Sequence, residues 1–453
     1  MRVFPQVVGV FGRAWVWAAL LIGAGACAEA ATDETADVPS KRPKVAEVPP
    51  KPAPLRVSVF LEYSGGMRGF VPAGNAATAA TEFQRRVGSL LTETEVSPDV
   101  TGRNYFLVYK DTDLRATPFT KMRDVVEGRQ AEAALGTELP DMLGAILKRS
   151  QAASEVSVII SDFIYGPEVA SRIPLIADYI RTAVAPVTRA GLAVAVLAEP
   201  SAFVTGKTIE GKQNYYYPAV KTPTRHRQLR GEKIPYYIWV VGPPALVSRY
   251  LKQVAKSLPP TQAYFGLRYP AVRYGAVLAG LPPGSKLGTS GDGSVWLTGS
   301  KDPTNLEVED VAKTVEFTVG LDLSQLPIAW QQPAWLGQRL QASLPGTAPR
   351  IVPGSVQQLT AAQRAASAPL APYTHVLRLR LNALPDGPST LTLALPAPET
   401  PAWVAQWSTD NDNLPGPVPH TYRLTDIMSG LRGAFPAALP PVFAVRFALA
   451  NQD

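Results

Sequence analysis

Short apolar runs and helical stripes alternate along the first part of the chain. Arg56 to Leu61, Val156 to Ser161, Leu192 to Leu197 and Tyr236 to Gly242 have the length and composition of strands buried on both faces. Between the first two runs, Leu139, Met142, Leu143, Ile146 and Leu147 recur at helical spacing, and Ile173, Ile176, Ile180 and Val184 mark another helical face further on. Pro243-Pro244 opens a helix that carries Leu246, Val247, Tyr250, Leu251 and Val254. Strands that alternate with helices predict a three-layer, doubly wound, mainly parallel α/β sheet over residues 55–285.

Past about residue 285 the period changes to two. Val315, Phe317, Val319, Leu321 and Leu323 alternate with other residues, and Leu377, Leu379 and Leu381 alternate with Arg378 and Arg380. Leu391, Leu393 and Leu395 repeat the pattern, as do Phe443, Val445, Phe447 and Leu449. Half-buried strands separated by Pro- and Gly-rich turns predict a second, β-rich domain over residues 286–453, an antiparallel sandwich of immunoglobulin-like type. Within it, Tyr422 to Leu431 reads as a short helix with Gly430 near its end, and Trp407 to Asn413 as an Asx-rich turn in preference to a Ca²⁺ loop.

Open α/β sheets place their sites at the carboxyl ends of strands. The first run ends in Glu62-Tyr63-Ser64-Gly65-Gly66, where two glycines let the backbone turn sharply and approach a ligand. Thr137 stands at or near the cap of the first helical stripe, and the second run ends in Asp162. Together these three segments resemble a von Willebrand factor type A domain, over roughly residues 55–256. The adhesion site of that family combines Asp-x-Ser-x-Ser, a later Thr and an Asp. The resemblance implies that Glu62, Ser64, Thr137 and Asp162 are oxygen ligands of a divalent cation such as Mg²⁺, and that a partner carboxylate completes the coordination.

Two positions depart from the pattern: Glu62 stands for the leading Asp, and Gly66 for the second Ser. Mg²⁺ wants near-octahedral oxygens at about 2.0–2.1 Å and retains several waters, so a water fills the place of the missing hydroxyl. The competing expectation is a relic that keeps the hydrogen bonds of the fold without an ion.

Composition narrows the remaining classes. A chain of 453 residues with 46% hydrophobic content can bury a large core. Its net charge of +7 is mild for that length, and no nucleic-acid partner is expected. The densest basic stretch, Arg225 to Lys233 after Tyr215-Tyr216-Tyr217, reads as a solvated loop. It belongs to a long insertion, Pro200 to Ile234, positioned to frame a binding surface with Phe163, Ile164 and Tyr165, unless those three pack into the core. The three histidines, His226, His375 and His420, show no metal-ligand spacing, and no phosphate-binding Gly-rich loop is present.

Arg2 and Arg13 precede the apolar stretch Ala14 to Ala26, which makes residues 1–27 a secretory signal. Cys27, the only cysteine, follows Ala24-Gly25-Ala26 in a setting that resembles the lipobox of bacterial lipoproteins, and this implies lipidation at Cys27. Ordinary cleavage after Ala26 or Ala30 is the alternative. Residues 28–54, with Val48-Pro49-Pro50-Lys51-Pro52-Ala53-Pro54, form a disordered Pro-rich tether.

The expected function is that of an exported, membrane-anchored binding or scaffold protein of the bacterial cell envelope. It recognises a protein partner and is not an enzyme. One alternative is a serine hydrolase built on Ser64, since Ser64-Gly65-Gly66 carries half of a nucleophile elbow and Asp410 or Asp412 and His420 follow in suitable order. Glu62 occupies the place of the elbow's first Gly, which argues against it. The other alternative is a structural envelope component with a degenerate, metal-free site.

Overall fold

Seven strands build the first sheet in the computed structural model of the chain. The structure describes residues 53–72, 79–110, 112–129, 138–153, 155–167, 169–204, 229–269, 271–279, 290–291, 294–297, 302–309, 314–382, 387–411 and 419–452. The strands are β1 (Leu55–Glu62), β2 (Val100–Val108), β3 (Leu114–Thr117), β4 (Val156–Ser161), β5 (Ala193–Val204), β6 (Arg230–Gly242) and β7 (Thr261–Phe265). They lie in the order β3-β2-β1-β4-β6-β5-β7. All four apolar runs are strands of this sheet, with β1 and β4 among its central members.

Helices α1 (Glu82–Val96), α2 (Phe119–Val126), α3 (Leu139–Ala153), α4 (Ile176–Arg189) and α5 (Pro244–Gln253) cover both faces. The period of two along β1 divides its side chains between them. Val57, Val59 and Leu61 share a core with Val87 of α1, Met122 of α2 and Tyr250 of α5. Phe60 and, from β4, Ile159 share the other with Met142 and Ile146 of α3 and Ile180 of α4. Thr81 starts α1 with a reciprocal capping box to Gln84, which satisfies two otherwise orphaned N–H groups.

The sheet is mixed, which corrects the expectation of a mainly parallel one. β1 is parallel to both β2 and β4, while β2–β3, β4–β6, β5–β6 and β5–β7 are antiparallel. The cause is β6, which does not follow β5 through a helical crossover. It folds back on β5 as a long hairpin, paired from Ala193–Gly242 out to Val204–Arg230, and so inserts between β5 and β4. A run that is buried on both faces has the same hydrophobic pattern in either direction, so its sequence does not report which way it runs.

The remaining elements are β8 (Tyr274–Val277), β9 (Ser290–Gly291), β10 (Ser294–Leu297), β11 (Asn305–Glu309), β12 (Val315–Leu321), α6 (Pro333–Arg339), β13 (Gln341–Ser343), β14 (Arg350–Ile351), β15 (Gln357–Gln358), α7 (Ala361–Ala366), β16 (His375–Leu381), β17 (Ser389–Leu395), α8 (Ala402–Gln406), β18 (Ser408–Thr409), β19 (Thr421–Tyr422), α9 (Leu424–Ala434) and β20 (Phe443–Gln452). Two further sheets, β10-β11-β20-β17-β13 and β14-β16-β12-β8, meet through their apolar faces. Phe447 of β20 contacts Phe317 of β12 at 6.3 Å and Tyr274 of β8 at 5.2 Å between ring centres. The four alternating segments are β12, β16, β17 and β20. Among the described pairings of these two sheets all are antiparallel except β11 with β20, which departs from the purely antiparallel arrangement expected.

The change from one sheet to the others falls between β7 and β8, ahead of residue 285. Helices α8 and α9 then return to the first sheet: Val404 of α8 and Ile427, Met428 and Leu431 of α9 join the core of α3 and α4. Gly430 does not end α9, which continues to Ala434. Its lack of a side chain instead allows α4 and α9 to approach, since a Cβ there would stand 2.3 Å from the Ala177 carbonyl oxygen. Residues 53–453 form one compact unit. Cys27 and the tether lie outside the described residues, among which no helix is long and apolar enough to cross a membrane.

Candidate functional site

From β1 the chain moves to β2 and β3 on one side, then returns to β4 on the other. The order of strands therefore reverses between β1 and β4, which puts a topological switch point at the carboxyl ends of those strands. Such switch points are where open α/β sheets bind ligands. Glu62 is the last residue of β1, Ser64 and Gly66 follow in the next turn, and Ser161 and Asp162 end β4. Thus the structure brings Glu62, Ser64, Gly66 and Asp162 together at one switch point; Thr137 lies outside the described residues.

Local geometry explains how each side chain is aimed. Leu61 pairs with Ile160, so Glu62 and Ser161 are neighbours on adjacent parallel strands and point to the same face. The Ser161 hydroxyl donates to Glu62 Oε2 and accepts from the N–H of Phe163 at 2.9 Å. Asp162 Oδ1 accepts from the N–H of Ile164 at 3.0 Å. Ser64 Oγ accepts a long bond, 3.4 Å, from the N–H of Met67. Glu62, Ser64, Ser161 and Asp162 are all buried.

Gly66 has helical torsions, φ −59° and ψ −45°, that any residue adopts. The reason for glycine is space: a Cβ at 66 would lie 2.8 Å from Asp162 Oδ2 and 3.6 Å from Ser64 Oγ. An Asp162 carboxylate oxygen from the neighbouring strand takes the space that a side chain at 66 would need. Ser161, which was not foreseen, also belongs to the site; its only signal was its place one residue before Asp162 at the end of a buried run.

Burial and the nearby Glu62 carboxylate both push the Asp162 carboxyl well above its ordinary range, and the Ile164 N–H opposes them in part. Asp162 has no ion pair among the described residues. Phe163 follows in the left-handed region at φ +55°, an unusual place for a bulky side chain and one of the forms strain takes near functional sites. Its ring is fixed in the core, stacked on Trp239 at 4.6 Å and edge-on to Tyr237 at 5.8 Å. Tyr165 is buried as well, and only Ile164 of the three is partly exposed. Core packing therefore accounts for Phe163 and Tyr165.

No family model, curated protein or solved structure matches the chain. Its chemistry rests on its own geometry.

The insertion after β5 contributes an arm beside the switch point. Ser161 and Ala198 both pair with Tyr237, and β5 runs on to Val204, so the hairpin projects about 20 Å beyond the end of β4. The arm is clamped to the turn after Gly66 and to the start of α1. Phe203 packs edge-on against Phe70 at 5.0 Å and over Gly69, Ser201 Oγ accepts from the N–H of Phe83 at 3.0 Å, and Glu82 accepts from the N–H of Ala202 at 2.9 Å and pairs with Lys233 at 2.5 Å. Further along, Arg86 grips Glu199 with two bonds of 2.9 and 3.0 Å, and Tyr236 donates to the same carboxylate at 2.8 Å. The tip, residues 205–228, lies outside the described residues.

Two carboxylates and a hydroxyl are hard oxygen donors, the set a cation such as Mg²⁺ takes. The described residues contain no group of three or more His, Cys, Asp or Glu in a metal-holding arrangement, so hydroxyls, backbone and water would have to complete any shell here. The elbow alternative finds Ser64 engaged by Met67, while its candidate His420 stands just before β19 and its candidate Asp410 just after β18. Asp412 and Asn413 lie outside the described residues, and Thr421 of β19 hydrogen-bonds Tyr237 at 2.8 Å.

Proposed function

We propose that the chain is a recognition protein of the cell envelope, exported and held to a membrane through lipidated Cys27, and that it captures a protein partner at the switch point between β1 and β4. One observation carries this reading: two buried carboxylates, Glu62 and Asp162, meet a serine at the switch point of the sheet, where ligands are bound. The 3-2-1-4 order of the first strands supports a von Willebrand-like, doubly wound core. Glu62, Ser64 and Asp162 would hold a divalent cation, with Ser161 orienting Glu62; the ion would supply an open coordination position for a carboxylate of the partner.

A metal-free structural role is favoured by the Ser161–Glu62 hydrogen bond and by the closeness of Asp162 Oδ2 to residue 66, since both give the carboxylates neighbours without an ion. Thermal unfolding with 5–10 mM-scale Mg²⁺ against chelator, run on wild type and Asp162→Ala, separates the two, because a ligand present at about 100 times its dissociation constant stabilises by about 2.7 kcal/mol. A Mg²⁺-dependent rise in melting temperature that Asp162→Ala abolishes supports the cation-assisted reading. No shift in wild type removes the cation, and unchanged partner capture in Asp162→Ala removes this site from recognition. Ester hydrolysis that disappears in Ser64→Ala would overturn the non-enzymatic assignment.

A further inference from the structure

The geometry points to a second binding site, independent of the switch point: the cleft between β7, α6 and the segment joining β17 to α8 takes an acidic saccharide. The cleft has a volume of about 610 Å³, within the roughly 300–1,000 Å³ of small-molecule sites. One wall is an aromatic stack. Tyr264 meets Trp330 edge-on at 4.9 Å, Trp330 stacks on Trp335 at 5.3 Å with ring planes 8° apart, and the Arg339 guanidinium sits 4.6 Å from the centre of the Trp335 ring.

That layering fixes the guanidinium plane while leaving its N–H rim open. Arg339 is exposed, has no ion pair among the described residues, and makes only a long side-chain bond, 3.5 Å, to Gln338. A stacked guanidinium is pre-organised for two parallel bonds to a carboxylate. Gln262, Gln338 and Gln341 line the same cleft, together with Glu399 and Thr400. Carboxamides both donate and accept, as sugar hydroxyls do. Both faces of the Trp335 ring are taken, by Trp330 and by Arg339, so its edge is what offers apolar contact to a sugar ring.

Other ligand classes fit less of this set. An inorganic anion uses Arg339 and none of the aromatic wall. A purely apolar molecule would bury the amides and the guanidinium without partners. A proline-rich peptide would use the aromatic wall, but it brings acceptors and few donors to a rim of glutamines, and it carries no side-chain carboxylate for Arg339. Pro396, Pro398 and Pro401 of the chain already line that side.

Tryptophan fluorescence of the full chain, titrated with a glucuronate-containing disaccharide, tests the assignment against cellobiose, sodium acetate and a decaproline peptide. Saturable binding of the acidic disaccharide is expected, weaker binding of cellobiose, and none of acetate alone. Arg339→Gln should weaken the acidic sugar by about tenfold, a difference of about 1.4 kcal/mol, and leave cellobiose unchanged. Trp335→Ala should abolish both. Because Arg339 is exposed, its variant retains the fold even if Trp335→Ala does not. Absence of saturable binding by either sugar, equal affinity of Arg339→Gln for the acidic one, or binding of decaproline alone would each overturn the proposal.

Discussion

Replacing Gly66 by Ser adds a hydroxyl beside Ser64 and Asp162 and tests the proposed site directly. Backbone strain is not an issue, because residue 66 already has right-handed helical torsions. Losing the flexibility of glycine in the unfolded chain should return about 0.4–1 kcal/mol. Against this, the new Cβ would lie 2.8 Å from Asp162 Oδ2, and Asp162 is tied by the Ile164 N–H and followed by the constrained Phe163. Crowding of a packed interior costs about 1–3 kcal/mol. The net expectation without metal is a loss of about 0.5–2 kcal/mol, or a fall of roughly 1–4 °C in melting temperature for a unit of this size. If a cation binds, the added hydroxyl becomes a ligand and Asp162 turns toward the ion, so Mg²⁺ should stabilise Gly66→Ser by more than it stabilises wild type. Gly66→Ala meets the same crowding without the ligand and should show the loss but not the recovery. The assay is differential scanning fluorimetry of the three proteins in chelator and in a Mg²⁺ series. If Gly66→Ser and Gly66→Ala are as stable as wild type in chelator, Asp162 does not stand against residue 66 and the geometry of the site is wrong.

Two pH predictions follow from the carboxylates. The Asp162 value in the fold lies above its unfolded value, so its contribution is fullest at or below about pH 4 and declines as pH rises toward the folded value. Asp162→Asn keeps an acceptor for Ile164 and should flatten that decline, leaving the chelator-treated variant more stable than wild type near pH 8 by urea unfolding; a less stable variant there would refute the burial argument. Glu82 behaves in the opposite sense: partial burial raises its carboxyl, but Lys233 and the Ala202 N–H outweigh this and hold it down at about 2. Its stabilisation is present above about pH 4.5 and lost as pH falls toward 2. After allowance for solvent it contributes about 1 kcal/mol or less, and Lys233→Met should shrink the acid limb of the stability profile, whereas an unchanged limb would remove this clamp from the arm.

The sequence alone located β1, β4, β5 and β6, the helices α3, α4, α5 and α9, and the four alternating strands β12, β16, β17 and β20, while β2, β3, β7, α1 and α2 became visible only in the fold. Periodicity is a local property, and Val57 to Leu61, Leu139 to Leu147 and Phe443 to Leu449 carry it within their own residues. Glu62, Ser64 and Asp162 were visible for the same reason, as polar residues at the ends of apolar runs. Tertiary structure decided everything that depends on which partners meet. The direction of β6 was hidden because a strand buried on both faces has no polar side to orient it. The role of Gly430 was hidden because its reason is the Ala177 carbonyl, more than 250 positions away, and the role of Gly66 because its neighbour is Asp162 on another strand. Ser161 looked like one more strand residue until the parallel register of β1 and β4 set it beside Glu62. Such contacts are long-range, and the pattern of apolar and polar positions carries information only about the face a side chain seeks, not about the residue it finds there.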